Sequence, residues 1–227
     1  MNDFAGFPTT TTTFLEQVAA NNSKAWFDAH RADYEQYWLE PAREFVVAAG
    51  DELVSLSPDI RAEPRVNGSI FRINRDVRFS KDKMPYKTTL DFWFWEGIRR
   101  EAVSGYYMRI TPDEFGIGVG AHGFDKDRLA AFRAAVVDPE AGAALRKAVS
   151  SVESAGWPVE GEHYKQLPRG FEATSDFQER LLRHSALWAG EDEAPPKSLR
   201  SRRLVAYAMN RWTKLAPLHQ WLVDNLQ

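Results

Sequence analysis

LDFWFWEGI, residues 90–98, opens the stretch of sequence from which the fold class follows. Apolar residues stand on both of its faces, as in a strand that is covered on both sides. Segments 105–110 and 114–120 come next, and the residues between them, Thr-Pro-Asp, favour a turn. Residues 69–79 alternate between apolar and polar side chains, with Phe71, Ile73, Val77 and Phe79 on one face, which predicts a further strand. We therefore predict three or four successive strands in an antiparallel meander.

Helical patterns flank these strands on both sides. Apolar residues recur every three or four positions over residues 14–56 and again over residues 204–226. Asp125, Asp138 and Ser175 are suited to cap helices in between, and residues 191–196 are predicted to form an acidic loop. These patterns predict an α+β fold in which the central antiparallel sheet packs against N-terminal and C-terminal helices. No linker composition divides the chain, so we expect a single domain over residues 1–227.

The composition of the 227 residues excludes several classes of protein. Hydrophobic residues make up 44% and charged residues 27%, which is typical of a folded globular chain. Because Cys is absent, the chain has no disulfide, thiolate metal site or cysteine nucleophile. The first 23 residues contain no Lys or Arg, and no apolar run is long enough to span a membrane. We therefore expect a cytoplasmic protein without a membrane partner.

The positive charge of the chain is concentrated in two segments. Residues 72–87 contain six basic and two acidic residues, and residues 197–214 contain six basic residues and no acidic one. The whole chain has a net charge of −3, so the remainder is strongly acidic. Such a distribution argues against non-specific duplex binding, which needs a positive field over a whole domain, but it leaves nucleic acid open as a partner. It also permits a local anion site, or simply two segments that face acidic surfaces of the same fold.

No familiar catalytic or cofactor-binding motif assigns a function to this sequence. GVGAHG at residues 118–123 matches G-x-G-x-x-G, but its strand belongs to a predicted hairpin and a helix follows where a parallel strand is required. The five histidines are scattered, without the i, i+4 spacing of a helical zinc site. No G-x-S-x-G elbow, Walker loop or EF-hand loop is present. The sequence therefore indicates neither a cofactor nor a metal.

The basic segment 72–87 is the candidate binding region. Arg75 stands on the apolar side of its predicted strand, so its guanidinium requires a carboxylate partner or a pocket. Guanidinium and ammonium groups at this density suit phosphate or carboxylate. Arg169 lies between Pro168 and Gly170, which hold its direction, and it is a further candidate. The candidate ligand-binding residues are Arg72, Arg75, Arg78, Lys81, Lys83, Lys87 and Arg169. The alternative is an arginine–aspartate network that only stabilises the fold.

One segment also carries a resemblance to a known family. RDVRFSKDKMPYKT, residues 75–88, resembles the signature of an uncharacterised family, domain of unknown function 2461. Similar matches are FL at 14–15, NN at 21–22, WF at 26–27, YE at 34–35, PRGF at 168–171, PL at 217–218 and WL at 221–222. GVGAH at residues 118–122 departs from the more regular Gly-Gly-aromatic-x-Pro run of that family. The resemblance implies an intracellular α+β protein with an unassigned activity, and it transfers no catalytic residue.

Three functions remain open from the residues. The first is binding of a small anionic ligand, nucleotide or phosphorylated metabolite in a basic pocket with aromatic walls. The second is metal-assisted phosphoryl or ester hydrolysis, with Asp76 as the candidate catalytic carboxylate. The third is a protein or nucleic-acid interaction module that uses the basic face of the C-terminal helix. The sequence determines neither the ligand nor the cofactor nor the oligomeric state.

Overall fold

A computed structural model of the protein describes residues 4–226. Its strands are β1 (Ile60–Arg61), β2 (Leu90–Glu96), β3 (Gly105–Ile110), β4 (Phe115–Ala121), β5 (Val159–Glu162) and β6 (His184–Glu193). Its α-helices are α1 (Thr9–Ala20), α2 (Lys24–Ala29), α3 (Arg31–Asp33), α4 (Glu40–Leu53), α5 (Lys126–Val137), α6 (Pro139–Ser154), α7 (Asp176–Leu182) and α8 (Arg203–Leu226). A π-helical segment, Tyr34–Leu39, precedes α4, and a 3-10 helix, Lys197–Arg200, precedes α8.

The strands form an antiparallel sheet in the order β1-β2-β3-β4-β6-β5 within the described residues. The predicted meander is confirmed for β2, β3 and β4, which are neighbours in both sequence and sheet. Helices precede and follow these strands along the chain, which confirms the α+β class. Across residues 4–226, no helix is long and apolar enough to cross a membrane.

The chain divides into two compact units. The first unit contains the chain up to Phe94 together with Tyr107–Ile117 and Asp192–Asn210. The second unit contains Trp95–Tyr106, Gly118–Glu191 and the chain from Arg211 onward. The expectation of a single domain over residues 1–227 stays a prediction.

Aromatic rings form much of the core within each unit. In the first unit the Phe45 ring lies 5.0 Å from that of Phe92 and 5.6 Å from that of Phe7, and all three side chains are buried. In the second unit the Phe132 ring packs edge-on against Trp221 at 6.0 Å. In the N-terminal region the rings of Phe27, Tyr34 and Trp38 are also buried, so they belong to the core.

Local capping signals determine where several helices begin. Asp125 accepts a hydrogen bond from the backbone N–H of Arg128 at 2.8 Å at the start of α5. Asp138 and Ser175 cap α6 and α7 in the same way, so all three predicted caps are confirmed. The first helix behaves differently, because it begins after Pro8 without a side-chain cap, although the threonine run offers several hydroxyls.

Two expectations about strands are wrong. The predicted acidic loop at residues 191–196 begins as strand, because β6 continues to Glu193. The predicted strand at residues 69–79 forms only isolated bridges, Val66 to Ile70, Ile70 to Phe92 and Asn74 to Tyr86. Within this segment the Asp76 carboxylate accepts from the backbone N–H of Arg78, and just beyond it Asp82 accepts from the N–H of Met84. Such local bonds compete with a ladder.

The segment from residue 69 to residue 87 is instead an irregular hairpin. Near its base the backbone N–H of Lys87 donates to the carbonyl of Ile73 at 2.7 Å, and the N–H of Arg75 donates to the carbonyl of Pro85 at 2.8 Å. Its end points into solvent, and Phe79 is 94% exposed, although the alternation predicts an apolar face there. This hairpin carries the candidate residues of the basic segment.

Candidate functional site

A buried carboxylate, Asp91, organises the polar groups beside the base of the hairpin. It lies in β2 and is only 3% exposed. Its Oδ1 accepts hydrogen bonds from Arg109 Nε at 2.6 Å and from Tyr107 Oη at 3.0 Å. Its Oδ2 accepts from Thr89 Oγ1 at 2.8 Å and from Lys87 Nζ at 3.4 Å. The sheet positions these groups because Asp91 lies in β2, while Tyr107 and Arg109 are two residues apart in the neighbouring strand β3.

Charge and burial act in opposite directions on the pKa of Asp91. Burial alone would raise it, but the hydrogen bond and positive charge of Arg109, assisted by Thr89 and Lys87, outweigh burial and hold the pKa below its ordinary value. Burial raises the pKa of Tyr107, and the negative charge of Asp91 raises it further. At neutral pH Asp91 is therefore ionised and the Tyr107 phenol is neutral, and both lie beside the Arg109 guanidinium.

An open depression of about 340 Å³ lies over this cluster, and we call it the Asp91 depression. Its lining residues are Arg75, Asp82, Met84, Lys87, Thr88, Thr89, Asp91 and Arg109. The lining contains three cationic side chains and two carboxylates, so its net charge is positive. This volume is near the lower end of the range of small-molecule sites.

Two of the predicted binding residues, Arg75 and Lys87, line the Asp91 depression. Arg75 has the carboxylate partner that its position in the sequence requires: its Nη1 donates to Asp82 at 2.5 Å and to the carbonyl of Met84 at 3.2 Å. Backbone and Arg75 hydrogen bonds lower the pKa of Asp82. The Lys87 ammonium also lies 5.0 Å from the centre of the Phe71 ring.

The other predicted residues of the basic segment do not line this depression. Arg78 bonds to the carboxylate of Asp76 through Nε and Nη2, at 2.9 and 2.6 Å, and the Arg78 side chain is 76% exposed. These contacts lower the pKa of Asp76, whose two oxygens are both engaged. Lys83 donates from Nζ to the carbonyl of Val77 at 2.9 Å. Arg72 and Lys81 are exposed.

Arg169 lies in the second unit and lines a different depression, of about 610 Å³. The other residues of that lining are Arg133, Tyr164, Lys165, Gln166, Leu167 and Pro168. The Arg133 guanidinium stands 4.9 Å from the centre of the Tyr164 ring, within the range of a cation–π contact. Arg169 and the basic segment 72–87 therefore belong to different units.

Sequence reasoning missed Asp91, Thr89, Tyr107 and Arg109. A signal was present, because Asp91 interrupts an otherwise apolar strand and Arg109 interrupts another. A charged side chain inside a buried strand requires a partner. Once β2 and β3 are known to be neighbours, Asp91 and Arg109 are therefore expected to pair. The two residues are 18 positions apart in sequence, and no local pattern connects them.

A second buried polar chain lies in the second unit. His219 Nδ1 is 2.9 Å from Ser104 Oγ, and His219 Nε2 is 3.2 Å from Glu96 Oε1. Serine, histidine and carboxylate in this order are the groups of a nucleophilic enzyme. However, Ser104 is 1% exposed and His219 is 0% exposed, so a substrate has no path to the serine hydroxyl. We assign Ser104 and His219 to the core, as satisfied polar groups, with the half-buried Glu96 as the partner of His219.

Metal ligands are not clustered in the part of the chain that the structure describes. Among residues 4–226, no group of three or more His, Asp or Glu side chains is arranged to hold a metal ion. Asp76, the candidate catalytic carboxylate, is bound by Arg78 instead.

Comparison with known proteins gives a family and no function. No curated protein and no solved structure matches the chain significantly. Residues 10–221 match a family described as "Conserved hypothetical protein (DUF2461)", and this range covers nearly the whole chain. The resemblance seen in the sequence is thereby confirmed, and the chain belongs to the DUF2461 family.

Proposed function

We propose that the chain binds a small molecule bearing a carboxylate or phosphate in the Asp91 depression. The observation that supports this most is the state of Arg109. Its Nε is fixed by Asp91, and its two terminal nitrogens make no hydrogen bond with any residue from 4 to 226. The Arg109 side chain is 43% exposed and lines the Asp91 depression. A guanidinium held in this way presents a preorganised fork for an anion.

The other lining groups support the same chemistry. Lys87 adds a second cation beside Asp91, and Arg75 adds a third that is already paired with Asp82. Thr88 contributes a hydroxyl that bonds to no described residue, whereas the hydroxyl of Thr89 is used by Asp91. The volume of about 340 Å³ suits a dicarboxylate or a small phosphate ester better than a complete dinucleotide.

The two alternative functions have less support. Metal-assisted hydrolysis through Asp76 would require release of the Arg78 fork from that carboxylate. Two of the six cations in segment 197–214, Arg200 and Arg211, already have internal partners. Arg200 donates to the carbonyl of Pro8 and to Thr12, and Arg211 donates to Glu191. None of the eight tryptophans is exposed.

A thermal-shift screen with a charge-conserving variant tests the proposal. The panel contains inorganic phosphate, pyrophosphate, sugar phosphates, nucleotides and dicarboxylates. The variant is Arg109→Lys, which keeps a cation beside Asp91 but removes the fork. The control is Arg65→Lys, at a side chain of the same unit that is 64% exposed and paired with Glu63.

The expected result is a selective shift that Arg109→Lys abolishes and Arg65→Lys retains. A ligand present at 100 times its Kd adds about 2.7 kcal/mol of stability, which moves the midpoint by a few degrees. A panel without any shift, or a shift of equal size in both variants, would contradict the proposal.

A further inference from the structure

The end of the hairpin, residues 76–84, is a second feature of the basic segment, and we call it the hairpin tip. It presents an aromatic ring to solvent, because Phe79 is 94% exposed. Most of the neighbouring side chains are polar or charged, and Met84, at 44%, is the other large apolar side chain of the hairpin tip that is exposed. A single exposed apolar side chain is common at protein surfaces, so the groups around Phe79 decide which ligand the ring could bind.

Polar contacts hold the hairpin tip in one arrangement. Arg75 connects its two sides through Asp82 and the carbonyl of Met84. Lys83 bonds across to the carbonyl of Val77 at 2.9 Å. Asp76 and Asp82 each accept a backbone N–H within the hairpin tip. The ring is therefore presented by a preorganised loop, which lowers the entropy that is lost when a ligand binds.

The base of the hairpin is anchored to the helical region of the first unit. The Asn22 side chain donates to the carbonyl of Tyr86 and accepts from the N–H of Tyr86, both at 3.0 Å. The Tyr86 ring stacks on that of Phe27, with centroids 4.2 Å apart. The exposed ring thus stands on a fixed support.

Cationic side chains accompany the exposed ring. Arg72 and Lys81 are exposed and make no ion pair with any residue in the described range 4–226. Arg78 lies with its guanidinium 5.8 Å from the centre of the Phe79 ring. Lys83 is exposed and bonds only to a carbonyl, so its charge remains uncompensated. A flat apolar face on a hairpin whose Arg72, Lys81 and Lys83 make no ion pair with the described residues complements a ligand that combines flat rings with negative charge.

From this combination we infer that the hairpin tip binds single-stranded nucleic acid, with one base stacked on Phe79 and the phosphates close to Arg72, Lys81 and Lys83. Stacking on a lone ring needs a base whose face is free, which a duplex does not offer. A membrane surface needs a broader apolar area than one ring among charged neighbours. A protein partner would bind the ring in an apolar pocket of its own. The affinity would then depend on how well the side chain fills that pocket, and not on the presence of a flat aromatic face.

Fluorescence anisotropy with a labelled single strand of roughly 12 nucleotides, as DNA and as RNA, measures this binding. The informative variants are Phe79→Trp and Phe79→Leu. Both keep an apolar side chain, but only tryptophan keeps a flat face. Because Phe79 is almost fully exposed, neither substitution affects folding. The strand should bind Phe79→Trp at least as tightly as the unsubstituted protein, and Phe79→Leu roughly fivefold to a hundredfold more weakly.

Salt dependence tests the phosphate contacts separately. Replacing Lys81 by Gln should reduce the slope of log K against log salt by about 0.7, the value for one lost contact to a single strand. The control Lys24→Gln removes the same charge from a side chain of the first unit that is 81% exposed, and the slope should not change.

Three results would overturn the inference. The first is absence of binding to either single strand at low salt. The second is equal affinity of Phe79→Leu and Phe79→Trp, which would indicate apolar contact without stacking. The third is binding to vesicles with anionic headgroups that Phe79→Leu retains, while the strand does not bind, which would assign the hairpin tip to a membrane surface.

Discussion

At the scale of the single residue, the buried charge of Asp91 explains the arrangement of its neighbours. A carboxylate in a strand must be compensated, and four donors from Lys87, Thr89, Tyr107 and Arg109 compensate it. The same interaction orients the Arg109 guanidinium at the Asp91 depression. One group therefore contributes to stability and prepares the candidate site, so its replacement should affect both properties.

Asp91→Asn should destabilise the fold by about 1–3 kcal/mol. This is less than the roughly 3–5 kcal/mol for a fully buried pair, because the Arg109 side chain is 43% exposed and its charge is partly screened. Urea unfolding at neutral pH measures the difference. The matched control is Asp76→Asn, in the exposed hairpin tip, which should leave the midpoint unchanged. An unchanged midpoint for Asp91→Asn would contradict the assigned role.

The contribution of Asp91 should also depend on pH. Its pKa is depressed in the folded state, so its stabilisation is complete above the unfolded pKa of about 3.9 and is lost as pH falls through the lower folded pKa. The gap in unfolding free energy between the unsubstituted protein and Asp91→Asn should therefore be constant from pH 7 to pH 5 and shrink below about pH 4. A difference in unfolding free energy that increases as the pH falls would contradict this prediction.

At the scale of the element, one glycine determines the pairing of β5 with β6. The register runs from Glu160 opposite Trp188 to Glu162 opposite His184, so the pairing is irregular at Gly161. Gly161 has a φ of +128°, and a Cβ there would lie 2.1 Å from the carbonyl oxygen of Ala186. Only glycine fits this close approach.

Gly161→Ala should therefore lower the thermal midpoint more than Gly156→Ala. Gly156 has a φ of +100°, but a Cβ there meets nothing within 4 Å, so alanine causes only backbone strain of about 1–3 kcal/mol. At Gly161 the steric conflict adds to this strain. Differential scanning calorimetry of the two variants gives the comparison. Equal midpoints would show that the irregular pairing tolerates a side chain.

The N-cap of α6 gives a second prediction at the scale of the element. The Asp138 carboxylate accepts from the backbone N–H groups of Glu140 and Ala141 at 2.9 and 2.8 Å at the start of α6. Asp138→Ala should cost about 1 kcal/mol, whereas Asp138→Asn, which keeps the acceptor, should cost much less. Urea unfolding of both variants measures this. Equal losses would mean that the charge, and not the cap, is what stabilises the helix.

The sequence could predict the elements whose signals are local. The three confirmed caps and strands β2 to β4 all follow from a few adjacent residues. β6 could not be predicted in this way, because it joins β4 and β5 from a distant part of the chain. For the same reason the sequence indicated that Arg75 needs a partner, but it did not identify Asp82 as that partner. The pairing of Asp91 with Arg109 depends on which strands are neighbours.

At the scale of the whole molecule, the boundaries between the two units fall inside regular elements. The chain changes unit after Phe94 within β2, after Tyr106 within β3 and after Asn210 within α8. Domain boundaries normally fall in exposed linkers. We therefore propose that the two units unfold together, as the expected single domain would.

One cooperative transition should appear in urea. Tryptophan fluorescence and far-ultraviolet circular dichroism should then give the same midpoint, because tryptophans occur in both units. Two separated transitions would contradict the single domain.

Anion binding in the Asp91 depression is the central claim, and a pair of variants at Thr88 tests it most directly. The Thr88 side chain lines the depression and bonds to no described residue, so its replacement leaves the fold intact. Thr88→Glu places a negative charge in the depression, and Thr88→Gln adds the same bulk without charge. Calorimetric titration of the anion with the largest thermal shift should give a Kd at least about tenfold weaker, or 1.4 kcal/mol, for Thr88→Glu than for Thr88→Gln. Equal dissociation constants would place the anion elsewhere and contradict the account.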